Sequence, residues 1–194
     1  MMNKIEEAIL YATDAHAGVN RDSTNIPYIL HPLEAAAIAA GLTDDPDVIA
    51  AAVLHDVVED TERSAAEIAK RFGANVARLV GSDTENKRPE LPSEATWKLR
   101  KQETLDSIPT LADDELTVVF SDKLANLRAI WNDYQLCWEK LWERFSQQDP
   151  KEQLWYYRGI FDACARLDWS PLYREYGWRI EEIAAWIRER TKEA

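Results

Sequence analysis

The sequence predicts an all-α fold, one helical domain of about ten helices, on three observations. The 194 residues include only six glycines, alternating β-branched runs are few, and apolar residues recur at three- and four-residue spacing. The length suits one domain with a substantial core, and no linker, repeat or low-complexity tract divides residues 1–194. Helices are expected near 3–17, 32–41, 46–59, 64–72, 74–82, 93–107, 113–131, 135–147, 151–167 and 171–191. Pro32 opens the second, with His31 exposed at its N-cap position. The third carries "VIAAAVL", the most apolar stretch of the chain, and runs on through His55 to Glu59. Ser64 to Glu67, "SAAE", is a capping box for the fourth, which Gly73 ends. "LTVVF" at 116–120 is strand-like, but a lone strand has no pairing partner, so it is read as helix. Pro150 and Pro171 stand behind Asp149 and Ser170 as first-turn prolines behind good N-caps.

Composition narrows the function. A formal net charge of −12 repels nucleic acid and anionic membrane surfaces at long range. No apolar run approaches the ~18 residues of a membrane span, and "MMNKIEEAIL" has acids where a secretory leader has basic residues. A cytoplasmic location is expected. Cys137 and Cys164 lack metal-ligand spacing and are read as core or partly buried thiols. One stretch runs against the overall charge: residues 86–102 carry Lys87, Arg88, Lys98, Arg100 and Lys101 against Glu90 and Glu94. It suits either a polyanion contact or a solvated helix face. Most of the eight tryptophans lie after residue 130, as core or as the interface of a homo-oligomer.

The chemistry concentrates in "AAVLHDVVEDT", residues 51–61. If residues 46–59 are one helix, His55 and Glu59 lie one turn apart on one face, and Asp56 and Asp60 form the adjacent pair. Burying three carboxylates together is costly because like charges repel and each loses water, so a cation is the natural compensator. The chain has three histidines, His16, His31 and His55, too few for a histidine-rich dinuclear site. His31, in "IPYILHPLEAAAIAAG", and Asp122, in "TVVFSDKLANLRAI", complete a candidate set with His55 and Asp56. Two nitrogens and two oxygens would surround one divalent ion and leave positions for water and substrate. Taken singly, a histidine before proline and an acid in a helix have ordinary structural uses as well.

"HAGVNRDSTNIPYILHPLEAAAI" (16–38), "AAVLHDVVEDT" (51–61), "EIAKRFGANVARLVGSDT" (67–84) and "SDKLANLRAI" (121–130) together resemble the hydrolase domain of the RelA/SpoT homologue family, within the HD superfamily of metal-dependent phosphohydrolases. The resemblance covers about the first 130 residues, a core near 3–131 followed by a helical part near 132–194. It is most similar to the stand-alone small alarmone hydrolases, since little chain remains for a synthetase domain; "QLWYYR" (153–158) also resembles a C-terminal segment of bacterial members. The resemblance implies a Mn2+-dependent 3′-pyrophosphohydrolase that converts (p)ppGpp to GDP or GTP and pyrophosphate. By motif, His31, His55, Asp56 and Asp122 would hold the metal, and Glu59 with Asp60 would orient and deprotonate the attacking water. Members that only synthesise alarmone lack these acids. Arg21 matches the arginine that sits against the nucleotide, Asn126 falls one turn after Asp122, and Lys98, Arg100 and Lys101 are the choice for distal phosphate contacts. His16 matches a family position but is read as fixing a helix end or loop.

The chain departs from the family at Asp22, where a lysine usually follows the arginine, and in "STNI", which lacks the loop glycine before "PYI". Exchanging a cation for an anion beside a polyanionic substrate should weaken phosphate binding or alter which phosphate chain fits. (p)ppApp and NADPH are the alternative small-molecule substrates. A non-catalytic alarmone-binding or antitoxin-like protein is the alternative outside enzymology, against which the intact "HDVVED" stands.

Overall fold

The computed structural model describes residues 2–21, 24–88 and 90–193, without the side chains of 191–193. Asp22 therefore lies outside the described residues. Among them the fold is all-α: ten α-helices, three short 3-10 segments and one isolated bridge between Asn20 and Pro27. Among the described residues no helix is long and apolar enough to cross a membrane.

Backbone contacts divide the chain into two compact units, Met1–Glu85 with Leu111–Ala125 and Asn86–Thr110 with Asn126–Ala194. The first unit holds α1 (Lys4–Ala15), α2 (Leu30–Ala39), α3 (Pro46–Leu54), α4 (Val57–Asp60), α5 (Ala65–Phe72), α6 (Ala74–Gly81) and the start of α8 (Asp113–Cys137). Asn3 and Ser64 close capping boxes on α1 and α5, and Asp45 caps α3 ahead of Pro46. Gly73 joins α5 to α6 at φ 100°, a conformation costly for any residue with a Cβ. The core is largely aliphatic: every residue from Val48 to Leu54 is buried, in one cluster with Ala8, Ala12, Ala36, Ala39, Ile68, Phe72, Val76 and Leu79. Alanines at these contacts let helix axes approach closely, so α3 is gripped over its whole length.

The second unit is built from α7 (Ser93–Ser107), the rest of α8, α9 (Pro150–Ala163) and α10 (Pro171–Glu193), and its packing is aromatic. Tyr134 stacks on Trp186 with centroids 5.4 Å apart, and Phe161 stacks on Tyr173 at 4.3 Å. Gly159 and Gly177 let Leu105 and the Phe161 ring sit where a Cβ would meet them at 2.6 and 2.8 Å. Polar atoms close on one another: Glu175 takes two bonds from Arg128 at 2.8 Å and one from Arg179 Nε, while Trp131 Nε1 donates to Glu182 at 2.7 Å. Cys137 and Cys164 are free thiols, half-buried and buried.

Three expectations are corrected. The helix expected over 46–59 ends at Leu54, and His55 and Asp56 form a turn before α4. His55 Nδ1 bonds the Ala52 carbonyl at 2.8 Å, competing with the backbone amide that would continue the helix. The helix expected over 113–131 runs to Cys137, and the piece expected over 135–147 is instead a 3-10 segment, Trp138–Arg144, entered at Trp138 with φ 53°. No proline or glycine interrupts residues 131–137, and buried Tyr134 keeps the helix packed. Finally, α2 begins at Leu30, so His31 is not an exposed cap but a buried residue of its first turn. Pro32 is third in that helix, where its missing N–H removes only a donor that has no intrahelical partner.

Candidate metal centre

His31, on the first turn of α2, and His55, in the turn after α3, are both buried, with their Nε2 atoms 3.3 Å apart. Asp122 reaches them from α8, with Oδ1 2.9 Å from His31 Nε2 and 3.3 Å from His55 Nε2. Asp56 Oδ2 lies 2.9 Å from His55 Nε2 and 3.4 Å from His31 Nε2. Four side chains scattered over residues 31–122 thus converge, and the ligand atoms of His31, His55 and Asp122 all lie within 4.8 Å of one another.

The donor set fits a divalent cation. The Ala52 carbonyl can only accept, so His55 Nδ1 carries a proton, and in the neutral ring, the form that ligates a metal, the Nε2 lone pair would face carboxylate oxygens and a second imidazole. Acceptors facing acceptors at about 3 Å repel unless a positive charge lies among them, and ligands sharing one ion at roughly 2.1 Å sit about this far apart. Protonation follows the same logic. Burial opposes charge on both histidines, yet the hydrogen bonds and charges of Asp122 and Asp56 prevail, raising His31 and holding His55 well above its ordinary 6.5. Against burial, the His55 charge and the histidine hydrogen bonds hold Asp56 low, and Lys123 with the same histidines holds Asp122 low.

Around this centre stand residues the sequence reading did and did not single out. Tyr28 OH is 2.6 Å from Asp56 Oδ2 and 3.2 Å from Asp60 Oδ2, so one phenol links a candidate ligand to a candidate base. Burial, then the Asp56 charge, pushes that phenol far up, keeping it a donor. Glu59 Oε2 accepts the Glu85 amide at 3.0 Å. His16 caps the C-terminus of α1, is buried, and packs its ring on Tyr28 at 4.9 Å, the helix-end role expected of it; burial lowers its pKa. Lys123 Nζ lies 2.5 Å from Asp122 Oδ2 and 2.8 Å from Asp83 Oδ1. Tyr28, Asp83 and Lys123 went unassigned in the sequence. A lysine beside an acid within the largely apolar "VVFSDKLANL" is a signal that could have pointed to Lys123; Asp83, forty residues earlier, had none.

The expected substrate contacts are less gathered. Arg21 lies in the first unit, its amide bonded to the Ile26 carbonyl at 2.9 Å and its own carbonyl accepting from Thr24, in the loop that the Asn20–Pro27 bridge closes. Asn126 follows Asp122 by one turn of α8 and belongs to the second unit, as do Lys98, Arg100 and Lys101. Lys98 pairs with Glu152 and lies 3.2 Å over the Trp155 ring, Lys101 lies 4.8 Å over Tyr156, and Arg100 Nε bonds Thr96 at 3.2 Å.

Known proteins resemble this chain in sequence and in fold. The family model described as HD domain matches residues 8–144. A guanosine-3′,5′-bis(diphosphate) 3′-pyrophosphohydrolase of Aquifex aeolicus is 36% identical over 130 residues, 66% of this chain but only 18% of that protein. The mouse enzyme of the same description, MESH1, is 36% identical over 148 residues, 74% of this chain and 76% of its own; the zebrafish MESH1 match spans 66% of that protein. Among solved structures, one described as a metazoan orthologue of SpoT that hydrolyses ppGpp superposes with a TM-score of 0.71 over 98% of this chain and 97% of its own, at 24% identity, a likeness of fold. A protein of Listeria monocytogenes EGD-e superposes with a TM-score of 0.69 at 32% identity, over 79% of this chain and 97% of its own. With a buried His-Asp cluster on an all-helical frame and the domain model matched over most of its length, the chain belongs to the HD domain family.

Proposed function

We propose that the chain is a metal-dependent 3′-pyrophosphohydrolase acting on (p)ppGpp. The reading is carried by one observation, the convergence of His31, His55, Asp56 and Asp122 with Asp60 held beside them through Tyr28. The description of the MESH1 relatives supports the substrate class. Two imidazoles and two carboxylates, with no thiolate, suit Mn2+. A divalent ion held there would supply Lewis acidity, lowering the pKa of water and neutralising charge on phosphoryl oxygens.

In this reading a water oxygen bonds to the phosphorus attached to ribose O3′, and the P–O3′ bond breaks with its electron pair going to O3′. O3′ gains a proton, and pyrophosphate leaves with GDP or GTP. Glu59 and Asp60 are assigned the water's proton, a role worth ~10²–10⁴ in rate for a positioned base. The Glu85 amide aims Glu59, and the Tyr28 phenol aims Asp60. Arg21 and Asn126 are assigned to the nucleotide. Lys98, Arg100 and Lys101 are assigned to distal phosphates, which requires Lys98 to exchange Glu152 for the substrate. Asp22 favours one second reading, the same chemistry on (p)ppApp or phosphate removal from NADPH, because it places an anion beside Arg21 in sequence.

The test is a panel of ppGpp, ppApp, NADPH and 5′-nucleotides incubated with the Mn2+-loaded protein, reading phosphate and pyrophosphate separately. Equimolar GDP and pyrophosphate from ppGpp, lost in Glu59→Gln, is the expected result. No cleavage of any 3′-pyrophosphorylated nucleotide would reject the reading.

A further inference from the structure

The geometry points to Asp83 and Lys123 as a positioning pair that orients Asp122 and makes a buried lysine compatible with a cation site; this rests on Asp122 being a metal ligand. Residues 116–125 of α8 are all buried, and within them stand two adjacent charges, Asp122 and Lys123, 5% and 8% exposed. A buried ammonium is tolerated only when paired and hydrogen-bonded. Lys123 meets that condition twice, through Asp122 Oδ2 at 2.5 Å and Asp83 Oδ1 at 2.8 Å. Asp83 lies just beyond α6, and its side chain is 4% exposed.

The two oxygens of Asp122 are thereby divided. Oδ2 is bound to the ammonium, while Oδ1 is turned to the two imidazoles at 2.9 and 3.3 Å, so one oxygen faces the ion position. The same lysine is an electrostatic liability, since a fixed positive charge next to a ligand repels a dication. Asp83 cancels that charge without competing for the site, because its partner is the ammonium. The pair thus fixes the ligand's orientation at no net cost in charge, and it ties the end of α6 to α8. Partners of ligating side chains of this kind are worth about 10–100-fold in metal affinity.

The experiment measures Mn2+ affinity directly, from the six-line EPR signal of the free ion and from calorimetry, alongside helix content and thermal melting. Asp83→Asn keeps the shape but leaves the lysine charge uncancelled, and Mn2+ binding is expected to weaken about 10–100-fold with helix content unchanged. The double variant Asp83→Val with Lys123→Leu exchanges a buried ion pair for apolar contact, an exchange that often preserves stability. It is expected to melt near wild type and still bind Mn2+ at least about 10-fold more weakly, because Asp122 has lost its anchor. A double variant that binds Mn2+ within about twofold of wild type overturns the proposal, whether or not Asp83→Asn folds. Wild type that binds Mn2+ yet cleaves no alarmone would reject the substrate reading and leave the pair standing.

Discussion

The two units bury charge in opposite ways. In the second, Glu175 is shared by Arg128 and Arg179, and Glu182 accepts the Trp131 N–H. In the first, the carboxylate oxygens of Asp56 and Asp122 and the imidazoles of His31 and His55 face one another, with Asp60 joined to Asp56 through Tyr28, and only Lys123 offers a permanent positive charge among these contacts. A closed network serves the fold. An open one could hold a cation and lies beside the aliphatic packing around α3. The Arg128–Glu175–Arg179 cluster of the second unit should therefore govern stability, and the facing groups of the first should govern metal binding and rate.

The strongest test of that contrast is His55→Ala, which removes one of the converging nitrogens and is expected to abolish detectable Mn2+ binding and, with it, hydrolysis, as read by EPR and nucleotide assay. Next comes Glu59→Gln, which should lower kcat by about 10²–10⁴ while leaving Mn2+ affinity near wild type. Loss of metal affinity as large as in His55→Ala would make Glu59 a ligand instead. The mirror experiment is Glu175→Gln, which strips the shared partner from two arginines. It should cost about 1–3 kcal/mol by chemical denaturation, discounted toward the lower end because the pair is partly exposed, and leave Mn2+ affinity unchanged. Smallest is Ser64→Ala, where loss of the α5 capping box should cost about 1 kcal/mol and nothing in binding.

His31 and His55 add a pH signature. Their folded pKa values are raised above about 6.5, so their contribution to metal-free stability is complete below that pH and is lost as pH rises through the folded values. Melting of chelator-treated protein should consequently fall as pH increases above about 6.5, and Mn2+ should restore it. Metal binding near neutral pH should also release protons, measurable by calorimetry in buffers of different ionisation enthalpy. A melting temperature that rose with pH in the metal-free protein would contradict the picture of facing acceptors.

Helical class and cap chemistry were determined by sequence alone, because periodicity, "SAAE" and the Asp-Pro and Ser-Pro starts act within a few residues of where they are written. The candidate ligands were legible too, since few histidines narrow the choice and "LHDVVED" interrupts the most apolar run. Tertiary structure decided what depends on distance through space. It buried His31 where local sequence suggested a cap, broke the helix at His55 through a side-chain bond to Ala52, and brought Asp83 to Lys123 across forty residues. It also put Tyr28 between Asp56 and Asp60, a contact with no periodic trace. Local rules set backbone shape, whereas the partner of a buried charge is whichever group the packed helices carry to it, and only the fold specifies that.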